Sequence, residues 1–186
     1  MNDRLPIRAA TIGDVPALQQ LIATSVRGLS IDFYDAAQIE AALTSVFGVD
    51  TQLIADRTYY VIDAPSGPVA AGGWSGRRTL YGGDQIKGSD DPRLDPASEP
   101  ARIRAFFVHP AWARRGLARR LYGECSAAAS DAGFRRFELM ATLPGVPLYL
   151  ALGFVEVERV TLTLAHGVTV SFARMGRDID AGAGKG

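Results

Sequence analysis

The region from Arg102 to Thr142 predicts two parallel strands joined by a helix. Residues 102–108 and 136–142 are rich in apolar, β-branched or aromatic side chains, as strands are. Between them, apolar residues recur every three or four positions along one helical face: Leu117, Leu121, Cys125, Ala128 and Ala132. A helical crossover connects parallel neighbours, whereas a tight turn is enough for antiparallel ones. Any fold for this chain must therefore place a parallel pair in its sheet.

The other predicted elements have short connections, which favour antiparallel pairing. They are a strand at 7–10, helices after Thr11 and Asp35, a hairpin over 58–74, a short helix at 147–152 and a terminal hairpin over 155–175. Residues 77–100 show no periodicity, so we predict a long loop there, either a binding element or a mobile connection. The sequence thus predicts an α/β (α+β) fold with a mixed, largely antiparallel sheet and flanking helices.

Length and charge exclude several classes of function. The chain has 186 residues, which predicts one domain over 1–178 followed by a disordered glycine-rich tail over 179–186. Twenty basic residues balance twenty acidic ones, so we expect no nucleic-acid partner. No apolar segment suits a secretory signal or a membrane span, which favours a cytoplasmic location without a membrane partner. One cysteine and two histidines make a metal site unexpected.

An arginine-rich segment at the start of the crossover helix predicts a phosphate-binding site. Four arginines lie within residues 114–120, around Gly116 and Ala118. A helix N-terminus presents unpaired N–H groups, small residues let a diphosphate approach them, and arginines add charge-assisted hydrogen bonds. The plainer alternative is a solvated helix start that is rich in arginine.

Two segments resemble the signatures of the GCN5-related N-acetyltransferases, the GNAT family. Residues 106–118 read Phe-Phe-Val-His-Pro-Ala-Trp-Ala-Arg-Arg-Gly-Leu-Ala, similar to the family's strand ending in V-x-P and its [RQ]-x-x-G-x-[GA] helix start. Residues 147–154 read Pro-Leu-Tyr-Leu-Ala-Leu-Gly-Phe, similar to its Y-x-x-x-G-F motif. The order and separation of the two motifs also match. The chain departs from the signature at Ala113, where the family has Arg or Gln.

The resemblance implies the acyl-CoA N-acyltransferase (GNAT) fold and an enzyme that moves an acetyl group from acetyl-CoA to a primary amine by direct attack. Acetyl-CoA would be the acyl-donor substrate, and no metal would take part. Tyr149 matches the family's general acid, which protonates the departing thiolate. The residues implied in binding acetyl-CoA are Phe107, Val108, Arg114, Arg115, Gly116, Leu117, Ala118 and Arg119. Phe107 and Val108 would act through their backbone amides.

The general base is not evident from the motifs. Many family members have a glutamate on or near the strand that corresponds to 102–108, but this strand carries Arg102 and Arg104, which we expect on an exposed face. Glu99 and Glu138 are the candidate bases, and a water relay or an already neutral amine are the alternatives.

The family usually forms its acceptor pocket from the first two helices and the loops between strands. In this chain those segments contain the candidate acceptor-binding residues Trp74, Arg77 and Tyr81, with Ser30–Tyr34 and the 77–100 loop. The acceptor would be a small-molecule or protein amine. The family often dimerises through its terminal strands, so a homodimer is among the expected assemblies.

Two other functions are compatible with the same residues. A non-catalytic acyl-CoA-binding or regulatory module is favoured by Ala113 and by the missing strand glutamate. A transferase for polycationic acceptors would need an acidic cleft, and the long loop supplies only four aspartates for one: Asp84, Asp90, Asp91 and Asp95.

Overall fold

Seven strands form one sheet in the computed structural model, which describes residues 5–179. They are β1 (Ile7–Ala9), β2 (Tyr59–Ala64), β3 (Gly67–Ser75), β4 (Ala101–Val108), β5 (Arg136–Thr142), β6 (Val155–Thr163) and β7 (Thr169–Asp178). Their order is β1-β2-β3-β4-β5-β7-β6, and β4–β5 is the parallel pair of this described sheet. The predicted mixed, largely antiparallel sheet with its crossover from 102 to 142 is confirmed.

Five α-helices lie against this sheet in the described residues. They are α1 (Val15–Leu29), α2 (Ala36–Ser45), α3 (Thr51–Ala55), α4 (Leu117–Asp131) and α5 (Val146–Ala151). As predicted, Asp35 caps α2, and its Oδ1 accepts from the Gln38 N–H at 2.8 Å. Thr11 instead begins a 3₁₀ turn, Ile12–Asp14, that precedes α1. The five-residue α3 was not predicted, because it is too short for an apolar period to be visible.

The strands β4 and β5 pair only at their beginnings and then separate. Their register consists of Ala101 opposite Phe137 and Arg102 opposite Glu138. A bulge follows in β4, where Ala105 has a left-handed φ of 54°. A bulge adds a residue to one strand and bends it, which favours separation from the neighbouring strand. The result is an open gap between the carboxyl-terminal halves of the parallel pair.

Apolar layers pack on both faces of the sheet. One layer joins α4 to β4, β5 and β7, and the other joins α1 to β2 and β3. Cys125 is fully buried in the first layer, in agreement with its predicted place on the apolar face of the helix. Ala128 is partly buried against the same core, and Ala129 beside it is fully buried, whereas Ala132 is exposed, so the predicted helical face is wrong at Ala132.

The long connection between β3 and β4, residues 76–100, is folded against the sheet; we call it the strap. Its two arms are joined by backbone hydrogen bonds from Leu94 N to Gly76 O at 2.8 Å and from Arg78 N to Pro92 O at 3.0 Å. Leu94 is buried in the core, so the strap is anchored at its middle as well as at its ends. The predicted absence of helix and strand over 77–100 is confirmed, apart from one isolated bridge between Arg77 and Arg93.

The packed domain extends one residue beyond the predicted boundary. Ile179 is buried, and its N–H donates to Arg135 O at 2.8 Å, because it continues the edge that β7 forms with β5. The remainder of the predicted tail, 180–186, lies outside the described residues.

Candidate active site

A cavity of about 690 Å³ occupies the gap between β4 and β5. Residues 103–108 of β4 form one wall, and Met140, Thr142 and α5 form the opposite wall. The start of α4 closes one end, while the α1–α2 region and the strap line the other. Its volume is typical of cavities that hold a small molecule.

The end of the cavity at α4 is built to receive an anion. Gly116 precedes the helix with a φ of 78°, a conformation that glycine adopts without strain. No atom lies within 4 Å of the position where a Cβ would stand on Gly116, so the space beside its backbone is open. The first intrahelical bond runs from Arg120 N to Gly116 O, which leaves the N–H groups of residues 117–119 without helical partners. Unpaired N–H groups and the helix dipole together favour a bound anion.

Two of the four arginines in this segment line the cavity. Arg114 and Arg119 belong to its lining, together with Gly116, Leu117 and Ala118. Arg115 does not, since its guanidinium lies 4.7 Å from the centre of the Trp112 ring. Arg120 donates to Leu5 O at 2.6 Å. The structure therefore places Arg115 against an aromatic face and not in the cavity lining, where it was predicted to bind.

Phe107 and Val108 both line the cavity, but their backbone amides face different ways. His109 N donates to Val69 O at 2.8 Å across the β3–β4 pair. Because amides alternate along a strand, Phe107 N also faces β3, and Val108 N faces the gap. Val108 N donates to Ser25 Oγ at 3.2 Å. Of the two amides predicted to contact a ligand, only that of Val108 is directed toward the cavity.

Tyr149 lies in the wall opposite β4. Its ring makes edge contacts with Phe106 and Phe154, with centroid distances of 6.4 and 5.6 Å. Burial raises the pKa of the Tyr149 phenol above its usual value of about 10, because the phenolate would lose its hydration. The side chain is thus a neutral proton donor held in place by aromatic packing.

The two predicted bases lie away from the cavity. Glu138 is on β5 where the parallel strands are still paired, and its carboxylate forms ion pairs with Arg102 and Arg174. Glu99 lies at the end of the strap, where its carboxylate accepts from Asp95 N at 2.7 Å. Neither belongs to the cavity lining. Glu138 lies away from the cavity because the strands separate only beyond it, and Glu99 because it caps a turn in the strap.

Of the three predicted acceptor-binding residues, only Tyr81 lines the cavity. Trp74 is buried in the core and packs edge-on against Phe134, with the ring centroids 5.9 Å apart. Arg77 pairs with Asp56, whose Oδ2 accepts from its Nε at 2.6 Å. Both residues hold the strap in place: Arg77 belongs to it and pairs with Asp56, and Trp74 shares a core cluster with the strap residue Leu94.

Three phenylalanines form an aromatic wall of the cavity, and two of them, Phe47 and Phe172, were not predicted as site residues; the third is Phe107. Phe47 meets Phe107 and Phe172 at centroid distances of 6.0 and 6.2 Å, both edge-on. Phe107 was predicted only for its backbone. Phe47 and Phe172 carry no local motif, since they come from the end of α2 and from β7, and only the fold brings them together.

Arg104 is also part of the cavity lining, although we expected it on an exposed strand face. Its side chain is 2% exposed because the strap covers it. Its guanidinium donates to Asp50 Oδ2 at 2.9 Å, to Gly82 O at 2.6 Å and to Thr79 O at 3.0 Å. Lys87 Nζ also donates to both oxygens of Asp50, at 3.0 and 3.1 Å. A buried charge network therefore fixes the strap to β4.

The charge of the cavity is entirely positive in the described part of the chain. Its lining includes Arg104, Arg114 and Arg119 and contains no Asp, Glu or His. No group of three potential metal-ligating side chains occurs among residues 5–179. None of the described helices has the length and apolar character that crossing a membrane requires.

Comparison with known proteins finds one family model and several solved structures that are similar to this chain. Residues 83–170 match the family model described as Acetyltransferase (GNAT) domain. No curated protein matches the chain in sequence. The structure of a GCN5-related N-acetyltransferase from Rhodopseudomonas palustris is similar with a TM-score of 0.68 and 17% identity, covering 95% of this chain and 96% of that one.

Other solved structures share the same fold over nearly their whole length. A phosphinothricin acetyltransferase from Sinorhizobium meliloti, in complex with AcCoA, has a TM-score of 0.62 and 17% identity and covers 98% of this chain and 92% of its own. The ribosomal-protein-S18-alanine N-acetyltransferase from Escherichia coli has a TM-score of 0.58 and 15% identity, with coverage of 98% and 99%. At these identities the likeness establishes the fold, as predicted from the sequence.

Proposed function

We propose that this chain, whose residues 83–170 match the acetyltransferase (GNAT) domain model, transfers an acetyl group from acetyl-CoA to a primary amine. The observation that supports this best is the gap between β4 and β5, which has an anion-binding helix N-terminus at one end and a buried tyrosine in its wall. A donor with a pyrophosphate at one end and a thioester at the other fits such a cavity.

The residues at α4 fit the pyrophosphate of acetyl-CoA. The N–H groups of residues 117–119 would donate to its oxygens, and Arg114 and Arg119 would neutralise its charge. Ala113 supplies no side-chain donor, but a cradle made of backbone amides needs none. The Val108 N–H donates to Ser25 Oγ in this structure. We propose that it donates to acetyl-CoA when the donor is bound.

Tyr149 is the acid that we propose for the chemical step. The amine nitrogen attacks the thioester carbonyl carbon, so that a C–N bond forms and the C–S bond breaks. Tyr149 gives its phenolic proton to the departing sulfur and regains one from the amine, so the reaction consumes no proton overall. A phenol suits this task because its pKa exceeds the roughly 8.5 of a thiol, and burial increases the difference.

Calorimetric titration with acetyl-CoA tests the binding half of this proposal. We expect saturable binding that weakens at least tenfold in Gly116→Glu, which adds a carboxylate to the anion cradle. Gly167→Glu is the matched control, because Gly167 also has a positive φ, 74°, with open space around it, but lies outside the cavity. Absence of acetyl-CoA binding, or equal weakening in both variants, would contradict the proposal.

A non-catalytic acyl-CoA-binding module is the second candidate, and the lack of a carboxylate or imidazole in the cavity lining favours it. Tyr149→Phe separates the two functions. In an enzyme this variant keeps its affinity for acetyl-CoA but loses turnover with an amine, whereas a binding module shows no turnover in either form. The predicted cytoplasmic location and homodimer stay predictions.

A further inference from the structure

We propose that the acceptor is an apolar amine that is neutral in water near pH 7, with aromatic amines as the representative class. This inference rests on the proposed acetyltransferase function and specifies its second substrate. It follows from two properties of the cavity. One is its charge, and the other is the chemistry of the end away from α4, which we call the acceptor end.

The cavity offers a cationic acceptor no anion in its described lining. Arg104, Arg114 and Arg119 line it, and arginine stays protonated throughout the accessible pH range. Asp50 is the carboxylate that pairs with Arg104 in the strap network. It is fully buried and already accepts hydrogen bonds from Arg104 and Lys87. An alkylammonium ion in this cavity would have no free counter-ion among the described lining residues, and burial of an unpaired charge is costly.

No group in the lining is suited to deprotonate an ammonium ion. An alkylamine with a pKa of about 10.4 is neutral in roughly one molecule of 2,500 at pH 7, so an enzyme that uses it ordinarily needs a base. The titratable lining groups besides the arginines are Tyr81 and Tyr149, both phenols. An amine that is already neutral in solution needs no base to attack.

The acceptor end of the cavity is apolar. The aromatic wall of Phe47, Phe107 and Phe172 lies there, with Met140 beside it. Phe33 belongs to the lining and is 48% exposed, so it extends the apolar surface to the mouth of the cavity. Edge-on contacts between aromatic rings leave surfaces on which a planar ring can stack. An aromatic amine matches this surface and satisfies the charge argument.

The step balances without any further reactant. A neutral arylamine carries two N–H protons; its nitrogen forms the bond to the acetyl carbon, the carbon–sulfur bond breaks, and one N–H proton is lost. The sulfur leaves as the thiol, with a proton from Tyr149 that the amine's proton replaces. The products are an N-aryl acetamide and free coenzyme A.

Two isomeric amines, 4-methylaniline and benzylamine, test the inference. They have the same atoms and ring, but only benzylamine is protonated at pH 7. We expect kcat/KM at pH 7 to be at least tenfold higher for 4-methylaniline and flat between pH 7 and 9. For benzylamine it should rise about tenfold per pH unit, because only the neutral fraction reacts.

A pair of protein variants tests the role of charge at the mouth of the cavity. Phe33→Glu introduces a carboxylate into the lining, and we expect it to change the ratio of kcat/KM values at least fivefold in favour of benzylamine. Ile31→Glu is the control, since Ile31 is 67% exposed in the same segment but does not line the cavity. Both positions are exposed, so neither substitution should prevent folding.

The outcomes separate this inference from the proposed function. If acetyl-CoA binds but benzylamine or spermidine is the better acceptor at pH 7, the inference is wrong and the acetyltransferase function stands. The same holds if kcat/KM for benzylamine does not change with pH, which would reveal a base or a cation site on the aromatic wall. If acetyl-CoA does not bind, the function and the inference both fail.

Discussion

Asp50 should be the most costly single side chain to neutralise in the network that holds the strap on β4. Its side chain is fully buried, and its carboxylate accepts from Arg104, from Lys87 and, as the cap of α3, from Gln52 N at 3.0 Å. Asp50→Asn preserves the shape but removes the charge, which leaves the Arg104 guanidinium, 2% exposed, without an anion, whereas Lys87 keeps its ion pair with Asp91 Oδ2 at 3.0 Å. Breaking a buried ion pair in this way costs about 3–5 kcal/mol.

Such a loss is large beside the total stability of a domain, about 5–15 kcal/mol. Urea unfolding followed by tryptophan fluorescence measures it, because Trp74 lies in the core beside the strap residue Leu94. We expect the unfolding midpoint to fall strongly at an unchanged slope. Replacement of both partners, in Asp50→Asn with Arg104→Met, should restore much of the loss, since no unpaired charge then remains buried.

A surface ion pair provides the control. Arg27 and Glu40 form two hydrogen bonds at 2.7 and 2.9 Å, but both side chains are more than half exposed. Glu40→Gln should therefore leave the midpoint nearly unchanged, because water screens the pair. If Asp50→Asn is as stable as Glu40→Gln, or if the double variant is no better than Asp50→Asn alone, the burial argument is refuted.

Three further predictions concern catalysis, ion pairing and acid stability. Because burial raises the pKa of Tyr149, its phenol should stay protonated to above pH 10, so the kcat of the wild type for 4-methylaniline should not fall between about pH 7 and 10; a fall in this range would contradict the assigned environment. Glu138→Gln should lower the urea midpoint, by loss of the pairs with Arg102 and Arg174, and leave the pH profile of kcat/KM unchanged; an altered profile would restore Glu138 as a base. Hydrogen bonds from Arg8 hold the pKa of Asp14 well below its usual range, so this carboxylate stabilises the fold above about pH 4 and loses that effect as the pH falls. Between about pH 6 and pH 3, Asp14→Asn should lose less free energy of unfolding than the wild type, and equal losses would show that other groups control acid unfolding.

The sequence by itself determined the fold class and most of the residues that line the α4 end of the cavity. The helix period from Leu117 to Cys125 and the strands on either side were enough to predict the parallel crossover, and Gly116 with its arginines located the anion cradle. Tyr149 was predicted from its position in the Y-x-x-x-G-F segment, and the fold brings it to the wall of the same cavity. These predictions succeeded because helix starts, glycine conformations and apolar periods depend on residues close together in the chain.

The acceptor end was decided only by the tertiary structure. Phe47, Phe107 and Phe172 come from distant parts of the chain and become one wall only when β7 lies beside β5 and α2 packs across the gap. Arg104 and Glu138 were misjudged for the same reason. The strap covers the first, and the second lies where β4 and β5 are still paired. Burial and pairing of a charged residue depend on what packs over it, and no local pattern around Arg104 or Glu138 carries that information.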